Sequence, residues 1–106
     1  MNAGRELDAL VAEKVMGWKD PSPVFGLMED VEGNANFPPD YSTSIAAAWR
    51  VVEKWQGDIT VDRRNEHFKV TFYKPSYEYE VWAETLPLAI CLAALKAVGH
   101  PMEESR

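Results

Sequence analysis

The side chains of a type to do chemistry are few in this chain, and they are scattered. Glu78, Glu80 and Glu84 alternate along one stretch, and Glu29, Asp30 and Glu32 cluster in another. Paired carboxylates can exchange protons as acid and base or hold a hard cation. Neither spacing matches a calcium loop, and a solvated strand face and a solvated loop account for both groups. His67 and His100 stand far apart, and neither falls at a spacing used for zinc, which needs three or four converging ligands. Cys91 is the single cysteine, set in an apolar run where burial raises a thiol pKa and makes the group inert. No glycine-rich phosphate loop, Walker lysine or nucleophile elbow occurs. The sequence therefore predicts no enzyme, no metal and no cofactor, and leaves recognition as the remaining chemistry. Tyr73 and Trp82, beside Lys69, Thr71 and Glu80, have the aromatic and mixed-charge make-up of an interaction patch, unless the first helix or the long loop covers them. The acidic group Glu29, Asp30 and Glu32 is a second candidate.

These residues must be positioned by elements legible from periodicity. Leu7, Leu10, Val11, Val15 and Trp18 follow a helical stripe, predicting a helix over 5–16 with Glu6, Asp8, Glu13 and Lys14 mostly off the buried side and Gly17 as its stop. A second helix follows over "STSIAAAWRVVEKWQ", capped by Ser42 or Asp40, with Ile45, Ala48, Trp49, Val52 and Trp55 as its apolar face. The period then becomes two. In "HFKVTFY" Phe68, Val70 and Phe72 share a face opposite Lys69, Thr71 and Tyr73. In "YEYEVWAE" Tyr77, Tyr79, Val81 and Ala83 oppose Glu78, Glu80, Trp82 and Glu84. With "DITVD" before them and short turns between, these make a three-stranded antiparallel meander. The last helix, in "TLPLAICLAALKAVGHP", has one charged residue, Lys96, between Leu86 and Val98. Thr85 caps it, Pro87 suits its first turn, and Gly99 ends it. Trp18, Trp49 and Trp55 read as core anchors.

Between the first two helices lies "KDPSPVFGLMEDVEGNANFPPD", with four prolines, two glycines and two asparagines. Little regular structure is expected there, at most a short edge strand pinned by Val24, Phe25, Leu27 and Met28. Residues 19–40 thus read as a long acidic loop within a single domain of residues 1–106. Residues 21–40 carry Glu29, Asp30, Glu32 and Asp40 with no Lys or Arg, so this stretch accounts for −4 of the net charge of −6. Such a balance opposes non-specific binding to nucleic acid or anionic lipid. The longest apolar run, in the last helix, falls short of the roughly 20 residues needed to cross a bilayer. A lone cysteine and no secretory signal fit a reducing cytoplasm.

Residues 42–98 run helix, strand, strand, strand, helix, the order of double-stranded-RNA-binding domains. Those domains grip phosphates with lysines at the start of the last helix. Here that stretch is "AETLPLAIC", with no cation, which argues against nucleic acid. At "LDALVAEKVMGW", "YSTSIAAAWRVVEKW" and "ETLPLAICLAALKAV" the chain resembles the phage ABA sandwich domain family, small proteins encoded by phages and prophages of Gram-positive bacteria. The resemblance implies an α/β sandwich working in the host cytoplasm, with no assigned activity and no functional residues to carry over. It also marks two departures, Ser44 and Arg50, where the family commonly has acidic residues. The expectation is an α+β domain in α-α-β-β-β-α order, a non-catalytic phage accessory protein that binds a protein partner or a second copy of itself. Two alternatives stand beside it: nucleic-acid binding through the RNA-domain-like order, and catalysis by the surface carboxylates.

Overall fold

The computed structural model describes residues 2–22 and 27–100. In chain order these form α1 (Arg5–Lys14), β1 (Lys19–Ser22), β2 (Leu27–Glu29), β3 (Ala35–Asn36), α2 (Ile45–Lys54), β4 (Ile59–Arg64), β5 (His67–Lys74), β6 (Tyr77–Ala83) and α3 (Leu86–Ala97). The fold is α+β, with the expected helices and the expected antiparallel meander in the order β4-β5-β6. The meander's inner face pairs Ile59 with Phe72, Val61 with Val70, Phe68 with Ala83 and Val70 with Val81. Two-residue turns close both hairpins, with Asn65 at φ 55° in one and Ser76 at φ 72° after Pro75 in the other.

α3 is the centre. Ala89, Ile90, Cys91, Leu92, Ala93, Ala94, Leu95 and Ala97 are all buried, which covers the helix on nearly every side. It lies on β5 and β6, and α1 and α2 pack against it. Each fully buried Leu or Ile contributes about 1.5–3 kcal/mol. Its ends are satisfied locally. Thr85 accepts from the Leu88 N–H at 3.3 Å, and the His100 N–H closes onto the Leu95 carbonyl at 3.0 Å past Gly99, at φ 84°. The Lys74 Nζ donates to the Ala97 carbonyl at 3.0 Å, placing a cation at the negative end of the helix dipole. Among the described residues no helix is long and apolar enough to cross a membrane.

Several elements differ from the expectation. The segment read as a loop carries a second sheet, β1-β2-β3, anchored to the core by buried Met28. Strands of two to four residues are too short to show a period, so Asp, Asn and Gly punctuation read as loop where it makes a hairpin turn. Val24, Phe25 and the tail lie outside the described residues. In α2 the cap is Ser44, whose hydroxyl accepts from the Ala47 N–H at 3.3 Å. Ala48 and Val51 form the buried centre of the helix, whereas Ile45 and Trp49 are 47% and 49% exposed. Trp49 is therefore not a core anchor, while Trp18 and Trp55 do pack against the core.

The largest surprise is Asp8, buried rather than turned outward. Its Oδ1 accepts from the Ser42 backbone N–H at 2.8 Å and the Ser42 hydroxyl at 2.6 Å, while the Ser42 oxygen accepts from the Gly4 N–H at 2.9 Å. Ser42 thus ties the start of α1 to the approach to α2. Losing one partner leaves a buried group unsatisfied. Ser42→Ala is expected to lower unfolding free energy by about 1–3 kcal/mol in urea denaturation. A loss of only a few tenths would show that this knot does not hold the fold.

Candidate interaction face

The register fixes what the outer face of the main sheet displays. β4 contributes Thr60, Asp62 and Arg64; β5 contributes His67, Lys69, Thr71 and Tyr73; β6 contributes Glu78, Glu80 and Trp82. The helical layer sits on the opposite face, over β5 and β6. Trp82 is 46% exposed. Its ring lies beneath the Lys69 ammonium, 5.8 Å from the centroid, and its Nε1 donates to Glu80 Oε2 at 3.2 Å. Lys69 also stands 3.9 Å from the Asp62 carboxylate. Tyr73 is partly buried, opposite Glu78, its hydroxyl 3.4 Å from Thr60 Oγ1.

Tyr73 and Trp82 share this face without touching. Trp82 stands opposite Lys69, four residues from Tyr73 along β5, which is roughly 13 Å. Between them lies the Thr71–Glu80 pair, with Thr71 buried beneath its longer neighbours. The face is a row of Lys69, Trp82 and Glu80 with Tyr73 at its far end.

The acidic group lies elsewhere, in the β2–β3 hairpin. Glu29 and Glu32 are exposed there. Asp30 is consumed by the turn itself: Oδ1 accepts from the Glu32 and Asn34 N–H groups at 2.9 Å each, and Oδ2 from the Asn36 side-chain amide at 2.8 Å. Glu29, Asp30 and Glu32 therefore do not converge on a ligand, and among the described residues no group of three or more His, Cys, Asp or Glu is placed to hold a metal. Glu78 and Glu80 line neither of two surface cavities, each of which contains a residue type of interest. One, of about 160 Å³, lies between Arg5, Asp8, Phe37 and Asp40, where Asp8 is already bonded to Ser42. The other, of about 260 Å³, lies between Trp55, Gly57, Tyr73, Lys74 and Pro75. Among the described residues the Trp55 Nε1, buried there, has no hydrogen-bond partner, and a side chain on Gly57 would run into the Tyr73 carbonyl and reach 2.9 Å from that nitrogen. Cys91 is sealed in α3, and burial, with Asp8 adding to it, pushes its thiol up to about 12. Burial likewise raises Tyr41.

Comparison with known proteins now bears on this arrangement. Residues 9–95 match the Phage ABA sandwich domain, which spans most of the chain. The chain belongs to that family. A 2.0 Å crystal structure of a phage protein from Bacillus cereus ATCC 14579 is similar over 97% of this chain and 95% of that one, at 30% identity and a TM-score of 0.82. Comparison with curated proteins gives no match. In this sandwich domain the departure at Ser44 keeps the capping role an acidic residue would fill, and Arg50 is exposed on α2. The exposed pair Ile45 and Trp49 escaped the sequence reading. The helical wheel does not reveal it: Ile45 and Trp49 lie about 90° and about 130° from the midpoint of Ala48 and Val51, and only the packing of α2 makes those two the buried centre.

Two outcomes follow. The Asn34 N–H, then the Asn36 amide, hold the Asp30 carboxyl below its ordinary value. A depressed folded pKa means that the turn is fully supported at neutral pH and loosens as pH falls below the ordinary carboxylate value of about 3.9 and through the folded one. The amide signals of Glu32 and Asn34 should shift over that acid range, and Asp30→Asn should abolish the transition. An unchanged acid profile in that variant would refute the assignment. Cys91 should resist thiol reagents at pH 8 in the native protein and react fully in denaturant; rapid native labelling would contradict its burial.

Proposed function

We propose that this phage sandwich domain is non-catalytic and acts in the host cytoplasm by binding another protein through the outer face of β4–β6. The observation that supports this most is Trp82, about half exposed on a sheet face opposite the helical layer and framed by Lys69 and Glu80. An aromatic side chain that the fold leaves outside, held in place by charges of both signs, has the make-up of an interface anchor. The mixed sign of Asp62, Arg64, Lys69, Glu78 and Glu80 fits a protein surface better than a polyphosphate. The nucleic-acid reading gains nothing, because the approach to α3 and its first turn, from Glu84 to Leu88, carry no cation. Catalysis by carboxylates gains nothing either, because Glu78 and Glu80 are exposed, and Glu80 is engaged by Trp82.

The test is capture from a lysate of the phage's host with immobilised protein, followed by titration of the captured partner. Binding should weaken at least about tenfold for Trp82→Ala and for Lys69→Glu, a magnitude typical of central interface residues. No stoichiometric partner at micromolar concentrations, or a partner indifferent to both substitutions, would sink the reading.

A further inference from the structure

We propose that the free edge of β4 is a self-association surface. On it a second copy of this chain lays its own β4 antiparallel across a twofold axis, joining two meanders into one continuous sheet.

The backbone directions come from the ladder. The Tyr73 N–H donates to the Asp58 carbonyl at 3.0 Å, one step beyond the Ile59–Phe72 pair, and the tight turn joins Arg64 to His67. Alternation then turns the polar groups of Asp58, Thr60, Asp62 and Arg64 toward β5 and those of Ile59, Val61 and Arg63 away from the sheet. The opposite edge obeys the same alternation and is partly blocked: the outward carbonyl of Glu80 on β6 accepts from the Lys96 ammonium at 3.2 Å. Among the described residues no strand pairs with the outer edge of β4, and β4 itself carries no lysine and no proline. It also extends past the helices. The helical layer is centred on β5 and β6, so Val61, on the inner face, is 47% exposed where its facing partner Val70 is fully buried. An uncovered strand edge with an exposed β-branched residue is a template for another strand.

Charge selects the occupant and the register. Antiparallel self-pairing that keeps both inner faces on one side must be centred on a single residue. Centring on Asp62 sets that carboxylate against its own copy, and centring on Arg63 does the same with two guanidinium groups. Centring on Val61 opposes Val61 to Val61, Ile59 to Arg63, Thr60 to Asp62 and Asp58 to Arg64. This register meets no like charges, makes two symmetric Asp58–Arg64 pairs, and uses every outward backbone group in about six hydrogen bonds. Asp58 and Arg64 are both exposed, and neither is in an ion pair among the described residues. The interface is small, so the dimer exchanges with monomer and weakens in high salt.

This proposal does not depend on what the outer face binds. Sedimentation equilibrium at low salt, over a concentration series into the millimolar range, should show a monomer–dimer equilibrium. Asp58→Arg and Arg64→Asp should each shift it to monomer, and the two together should restore the dimer. Val61→Pro should also abolish it while keeping the far-ultraviolet circular dichroism, because the N–H it removes points off the sheet. Trp82→Ala should leave the dimer intact, which separates this edge from the outer face. A wild-type chain monomeric throughout, a dimer unmoved by either single charge reversal, or a double variant that stays monomeric would overturn the proposal.

Discussion

A helix with no polar side constrains everything around it. α3 offers water only Lys96 and the residues at its ends, so the remainder of the chain has to supply a wall in nearly every direction. The meander supplies one wall with Val70, Phe72, Val81 and Ala83, and α2 and α1 supply others with Ala48, Val51, Leu7 and Val11. Ala89, Ala93 and Ala97, spaced four apart, have no bulk to hold a neighbouring backbone away. The wall on the sheet side needs only one apolar face. The other face of the same strands is thereby free to carry Lys69, Glu80 and Trp82, and the proposed binding surface is a by-product of how the core is closed.

Local signals were legible in the sequence where one residue type has one physical use. Thr85, Pro87 and Gly99 bound α3 because a cap, a missing N–H and a left-handed residue each fit one place at a helix end. Alternation along Phe68–Tyr73 and Tyr77–Ala83 placed Tyr73 and Trp82 on the outer face correctly. What it did not convey was their separation, since that depends on how two strands slide past one another, and only the turn at Pro75-Ser76 fixes the slide.

Misreadings occurred where the deciding contact is distant in sequence. A carboxylate on α1 looks solvent-facing until its partner is known, and the partner of Asp8 is 34 residues away. Serine or aspartate before a helix normally caps it, which makes Ser42 or Asp40 the expected cap of α2; Ser44 takes that role instead and leaves Ser42 to the knot. Asp30 belongs to the same class in reverse. Its acidic neighbourhood suggested a patch, whereas its oxygens are occupied by amides within six residues of it.

The distribution of cations ties the core to the surface. Three lysines on or beside the main sheet are already engaged within the chain. Lys74 holds the Ala97 carbonyl and sits 5.8 Å from the Trp55 ring and 5.5 Å from that of Tyr79; Lys96 holds the Glu80 carbonyl; Lys69 stands between Trp82 and Asp62. A lysine that satisfies a helix end or a strand edge releases few counterions on meeting a phosphate backbone, because moving it would strip a carbonyl of its donor. The sheet is thus a poorer polyanion surface than its count of basic residues suggests. What remains available on it is aromatic area with fixed charges of alternating sign, which is the pattern the proposed protein-binding role draws on.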